Sequence, residues 1–150
     1  MDSFFIFAAK YLFLLPVAII GIYFLLQPRA SWKRMALFAI PAALLTYLFG
    51  LLGGHLYFDP RPFVVGHFTP LVPHAPDNGF PSDHTLLVSA IAMIGTFWGR
   101  RLGAVLWAVA IIVAIARVYV GVHHPIDVIG SIVFAIIATV AWRAILTYTR

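Results

Sequence analysis

The sequence predicts an all-α membrane helix bundle with about five transmembrane helices and its amino terminus outside the cytoplasm. Three observations lead there. Of the 150 residues, 63% are hydrophobic and only 10% are charged, a balance that a water-facing globular surface does not tolerate. Apolar stretches of about 20 residues recur, which is the length a helix needs to cross a hydrocarbon layer of roughly 30 Å. The few charges fall between those stretches or toward their ends, largely sorted by sign. The stretches use up the chain, so residues 1–150 read as a single membrane-embedded domain.

The first span runs from about Phe4 to Leu26. It is too long, and lacks the basic leader, for a cleavable signal peptide. The turn after it carries Arg29, Lys33 and Arg34. The second span, from about Met35 to Gly53, contains Pro41, which a membrane helix tolerates when a neighbour satisfies the carbonyl it frees. Residues 54–82 form the one long loop, rich in proline, with four of the six histidines in it or beside it. A third span from Asp83 to about Trp98 is short, roughly 24 Å at 1.5 Å per residue. The turn Gly99-Arg100-Arg101 leads into a fourth span, from about Leu102 to Gly121, and a fifth runs from about Ile126 to Tyr148. The absence of cysteine removes disulfides and thiol nucleophiles.

The charges test this topology. Arg29, Lys33, Arg34, Arg100, Arg101, Arg143 and Arg150 share one side, while Asp2, Asp59, Asp77, Asp83 and Asp127 share the other with Arg61 and Arg117. The positive-inside rule puts the first set in the cytoplasm, and the amino terminus and long loop outside it. A net charge of +5 without any basic run argues against nucleic acid as a partner. Lys10 is the exception, two turns into the first span. It either snorkels to the interface or points into the bundle and adds charge near the outer polar residues.

Three separated pieces share that outer side. In the stretch from Arg117 to Asp127, His123 stands at the lip of a predicted helix and Asp127 one turn in on the same face. Such an aspartate can hold one imidazole nitrogen as N–H and leave the other free as a nucleophile. In Gly79-Phe80-Pro81-Ser82-Asp83-His84-Thr85, Ser82 reads as an N-cap, and a helix N-terminus with a hydroxyl beside it is an anion site. In Phe58-Asp59-Pro60-Arg61-Pro62, two prolines stiffen the chain around a guanidinium suited to phosphate oxygens. Each piece alone also reads as a loop edge, an ordinary cap or an interfacial arginine. Together they supply phosphate holders in Arg61, Arg117 and Ser82, a nucleophile in His123 with Asp127, and a proton donor in His84, which suffices for phosphoryl transfer.

Arg61-Pro62, Pro81-Ser82-Asp83-His84, and Arg117 followed by His123 and Asp127 at fixed spacing resemble the signatures of the type 2 phosphatidic acid phosphatase superfamily. Leu71-Val-Pro-His-Ala75 and the aspartate Asp83 in place of a signature glycine resemble its bacitracin-resistance branch of undecaprenyl-diphosphate phosphatases. The resemblance implies a phosphohistidine on His123, support from Asp127, acid and base work by His84, and substrate held by Arg61, Ser82, Asp83 and Arg117. It also implies a polyprenyl diphosphate substrate without a metal cofactor, and a multi-pass protein of a bacterial plasma membrane whose site faces outward.

Two departures stand out. The family lysine, seven residues before Arg61, is Gly54, and Lys10 or the adjacent His55 are the candidates to replace it. The family serine before Arg117 is Ala116. The chain also reads as short at its amino end relative to that family. A metal site is a weaker reading, because there is no Glu, no Cys and no His-x-x-His spacing. His67 and His74 read as structural or head-group contacts. Asp59 and Asp77 read as solvated loop charges, with Asp59 also in reach of Arg61. A channel would need polar residues at depth, and these cluster at one end. Other lipid phosphates would suit the same chemistry. If His123 attacks as the neutral base while His84 donates a proton, activity passes through a maximum in pH.

Overall fold

Helices form along the apolar runs, and most of the breaks between them lie at or beside proline or glycine. The computed structural model describes residues 1–148, so Arg150 lies outside them. The helices are α1 (Asp2–Tyr11), α2 (Leu14–Leu25), α3 (Arg29–Leu56), the single turn α4 (Pro62–Val65), α5 (Asp83–Trp98), α6 (Arg100–Tyr119) and α7 (Pro125–Tyr148). Among the described residues there is no strand, only an isolated bridge between Pro60 and Asn78.

Helices α3, α6 and α7 are each long and apolar enough to cross a membrane, and α1 with α2 makes a fourth span if the bent pair is counted as one. The predicted first span is therefore not one straight helix. It bends by 48° between α1 and α2, and Pro16 gives the reason: it has no N–H to donate to the carbonyl of Leu12, four residues back. The predicted third span is the 16-residue α5, which at roughly 24 Å falls short of a full hydrocarbon thickness. Pro41, by contrast, leaves α3 continuous. The carbonyl it frees is that of Leu37, and the indole Nε1–H of Trp142 on α7 donates to it at 3.3 Å.

The short helix α5 is the axis of the bundle and packs against α2, α3, α6 and α7. Ten of its residues are buried, including Thr85, Val88, Ser89 and Ala92. Around it many of the buried positions are small, among them Ala42, Ala110, Ala114, Ala135 and Ala138, whereas Leu44, Leu51, Ile115, Ile129 and Ile137 face outward. This arrangement suits lipid, where large apolar side chains lose nothing by exposure and small ones let backbones approach.

The end of the bundle that carries the long loop is tied together by polar contacts. The Tyr119 hydroxyl donates to Asp2 at 2.9 Å, and Phe5 stacks on the Tyr119 ring at 4.0 Å. The amino terminus thus sits at the end of the bundle where α6 finishes. In the long loop, the N–H of Leu71 donates to the Val120 carbonyl. Asn78 clasps the end of α3, its amide donating to the carbonyls of Gly54 and Tyr57 while its oxygen accepts from the N–H groups of Asp59 and Phe80.

Candidate active site

The α6–α7 turn delivers the central imidazole. Gly121 takes φ +80, a backbone state that suits glycine, and the chain then doubles back so that His123 lies against both Arg117 and the start of α7. His123 is 2% exposed and Asp127 is fully buried. His123 Nδ1 lies 2.9 Å from the Gly79 carbonyl and 3.2 Å from Asp127 Oδ2. Both partners can only accept, so Nδ1 carries the proton.

His123 Nε2 faces the opposite kind of partner. Arg61 Nη1 approaches it at 3.3 Å and Arg117 Nη2 at 3.2 Å, and guanidinium nitrogens can only donate. Nε2 therefore presents a lone pair. Four neighbours thus fix a neutral Nδ1–H tautomer with its free nitrogen aimed between two cations. Burial pushes the His123 imidazole below its ordinary pKa, and the charges of Arg117 and Arg61 push the same way, against the hydrogen bond that Nδ1–H donates to Asp127.

The two arginines are held from behind. Arg61 donates through Nε to Asp77 Oδ1 at 2.6 Å and through Nη1 to the Val122 carbonyl at 2.9 Å. That bond and the Arg61 charge hold the Asp77 carboxyl below its usual range despite the upward pull of burial. Arg117 reaches the Ala9 carbonyl of α1 through Nη1 at 3.4 Å, while its Nε is buried without a partner. An unpaired, buried cationic donor beside a nucleophile is a place for an anionic oxygen.

Ser82 is fully buried at the N-cap of α5, yet its side chain makes no capping bond. Its hydroxyl accepts from Thr85 at 3.1 Å. The N–H groups of the first α5 turn are left free by helix geometry, so this end can receive an anion. His84 is partly buried, with Phe13 edge-on at 4.7 Å between ring centroids. Asp83, the next residue along, is exposed. The His74 ring lies edge-on, 6.2 Å from that of His123 between centroids, so this loop histidine borders the site.

The structure brings His123, Asp127, Arg61, Arg117, Ser82, Asp83 and His84 to one end of the bundle and leaves two expected residues aside. The Lys10 side chain is exposed and rests 5.4 Å over the Tyr11 ring, so it points away from the bundle. His55 is exposed at the end of α3. Gly54 shows why no lysine stands there: a Cβ would come 3.0 Å from the Phe80 carbonyl and 3.4 Å from Pro81. The loop has closed over that position.

Other contacts were not legible. Asp77, not Asp59, pairs with Arg61. Asp59 instead meets His124, with Oδ2 at 2.9 Å from Nδ1, and burial with the nearby Asp127 carboxylate raises its pKa. Gly79 supplies the carbonyl under His123, and a Cβ there would lie 2.9 Å from Asp127 Oδ2, so only glycine allows this approach. The sequence carried one signal for it, the turn-forming run Asp77-Asn78-Gly79. Asp59, His124 and Asp127 also each offer an atom within 4.8 Å of the other two, the one such metal-compatible group among the described residues. It lies on the Asp127 side of His123, away from the Nε2 lone pair.

The family model described as PAP2 superfamily matches residues 35–150. Undecaprenyl-diphosphatase BcrC of Bacillus subtilis is 36% identical over 141 residues, covering 91% of this chain and 70% of its own length. The putative undecaprenyl-diphosphatase YbjG of Escherichia coli is 35% identical over 118 residues, covering 75% of this chain and 60% of its own length. Among solved structures, Aquifex aeolicus LpxE superposes with a TM-score of 0.75 at 24% identity, over 95% of this chain and 85% of that one. That last likeness concerns the fold.

Proposed function

The chain belongs to the PAP2 superfamily, and from that membership we propose that it hydrolyses undecaprenyl diphosphate to undecaprenyl phosphate and inorganic phosphate, as part of carrier-lipid recycling for cell-wall synthesis. The observation that carries the proposal is the state of His123. Its Nε2 lone pair stands 3.2 Å and 3.3 Å from two guanidinium nitrogens, while its Nδ1 proton is held by Gly79 and Asp127.

A terminal phosphoryl group entering between Arg61 and Arg117 takes over the guanidinium N–H bonds that Nε2 accepts when the site is empty. Its oxygens are held by both arginines, the unpaired Nε of Arg117, the Ser82 hydroxyl and the first N–H groups of α5. Nε2 attacks phosphorus, and the bond to the bridging oxygen breaks. That oxygen leaves on undecaprenyl phosphate with a proton from His84. Asp127 stabilises the positive charge that develops on the His123 ring. His84 then takes a proton from water, which attacks the phosphohistidine, releases phosphate and restores Nε2. The chemistry needs no metal, and no step passes through Asp59 and His124.

We place the single domain in a bacterial plasma membrane with this end facing outward. The test is phosphate release by the purified protein in detergent with excess EDTA, comparing undecaprenyl diphosphate with phosphatidic acid. The expected result is release from the prenyl diphosphate that survives EDTA and disappears in His123→Ala. Preference for phosphatidic acid would move the substrate to another lipid phosphate. Release that is lost with EDTA would implicate the group of Asp59, His124 and Asp127 instead.

A further inference from the structure

At the end of the bundle opposite His123 lies a cavity of about 430 Å³ that the reaction does not use. Tyr23 and Gln27 of the α2 end, Arg34 of α3, Phe97 and Trp98 of α5, and Arg143 of α7 line it. We propose that this cavity binds the phosphate head group of an anionic phospholipid in the leaflet remote from the active site.

Charge is the first argument. The five acidic residues of the sequence are Asp2, Asp59, Asp77, Asp83 and Asp127. Asp2 bonds Tyr119 at the far end of α6, Asp59 and Asp77 belong to the long loop, Asp83 opens α5, and Asp127 sits under His123. None reaches the end of α5 where Trp98 stands. Among the described residues, Arg34 and Arg143 have no carboxylate partner. The Arg143 guanidinium instead lies 4.5 Å over the Phe97 ring, which orients it without neutralising it. Arg29, Lys33, Arg100 and Arg101 add further positive charge at the same end, and no acidic side chain of the sequence stands there to neutralise it.

The second argument is the form of the cavity. Met35, Phe38 and Leu146 continue its wall, so an anion bound there has apolar neighbours on one side, as a lipid head group and its first methylenes require. Aromatic residues mark the depth. Tyr23 stacks on Trp98 at 6.0 Å, and Phe24 stacks on Trp32 at 5.2 Å, the belt expected at head-group level. A planar guanidinium from each of two helices, α3 and α7, matches a phosphodiester, and binding would hold those helix ends together.

The test uses the intact protein in an uncharged detergent. Dioleoyl phosphatidylglycerol, dioleoyl phosphatidylcholine or inorganic phosphate is added, and melting temperature and lipid adducts by native mass spectrometry are read. As a phosphodiester, phosphatidylglycerol lacks the terminal phosphate of a substrate. The expected result is a rise in melting temperature and retained adducts with phosphatidylglycerol only. Arg34→Gln/Arg143→Gln should weaken the apparent affinity by about tenfold, while Arg100→Gln/Arg101→Gln, which removes the same charge outside the cavity, should not. Undecaprenyl diphosphate hydrolysis without added lipid stays at the parent level in both variants. Equal effects of phosphatidylcholine, an equal effect of inorganic phosphate, or equal losses in the two double variants would each overturn the proposal. The lipid comparison on the parent protein keeps it falsifiable if the Arg34/Arg143 variant does not fold.

Discussion

His123 gives the sharpest test at the scale of single residues. Burial and the charges of Arg117 and Arg61 lower its pKa, and Asp127 opposes them. A lowered pKa means that the ring stays neutral, and so nucleophilic, at a more acid pH than an ordinary histidine with a pKa near 6.5. The acid limb of kcat/KM is therefore expected below that value, and the His123 ring resonance in the free protein should titrate there too. Asp127→Asn removes the partner that favours the charged ring, so it should move the titration further down. It should also lower kcat by about 10²–10⁴-fold, as loss of the orienting carboxylate does in other base–orienter pairs. Titration at or above the ordinary value in the parent would show that the two guanidiniums do not flank the ring in solution. His123, Asp127, Arg61 and Arg117 could be singled out in the sequence because their residue types suit phosphate chemistry and their spacings resemble a family signature. Asp77, Gly79 and the Val122 carbonyl could not, because they act through a fold that joins residues 44 and 61 positions apart.

Among the helices, two prolines that look alike in sequence have opposite effects. Pro16 stands in the first turn of α2, behind the bend, and the chain breaks there. Pro41 stands in mid-helix, and α3 runs on because Trp142 satisfies the carbonyl that it frees. That an orphan carbonyl must find a donor could be read from Pro41 alone. Which residue supplies it could not, since Trp142 lies 105 positions from Leu37. The bond implies a coupling that a double-mutant cycle measures. Trp142→Phe should destabilise the protein by about 1 kcal/mol where Pro41 is present. In Pro41→Ala, where the helix supplies its own N–H, the same change should cost almost nothing. Equal costs in the two backgrounds, read from reversible unfolding in detergent, would mean that the indole N–H does not serve Leu37. The same physics explains the short α5. Enclosed by α2, α3, α6 and α7, it meets little lipid along its length, so the need for a full-length apolar span falls on its neighbours.

Taken whole, the molecule is polar in a directional sense. One end carries the five aspartates with His123, Arg61 and Arg117, and the other carries the cationic turns and the cavity between Arg34 and Arg143. The positive-inside rule predicts that the cationic end faces the cytoplasm, and this is open to direct measurement because the chain has no cysteine. A single cysteine introduced at Ala75, exposed in the long loop, should react in intact cells with a membrane-impermeant maleimide. One at Ala30, exposed at the start of α3, should react only after the membrane is opened. The opposite pattern would put His123 in the cytoplasm, where it would meet a carrier lipid of the inner leaflet and could not act on diphosphate left at the outer face. Labelling of both sites in intact cells would mean that the chain inserts in two orientations. The positions of Arg100 and Arg101 argue against dual insertion, because they close the α5–α6 turn at the same end as Arg29, Lys33 and Arg34. Turning the bundle over would carry every one of these charges across the membrane together.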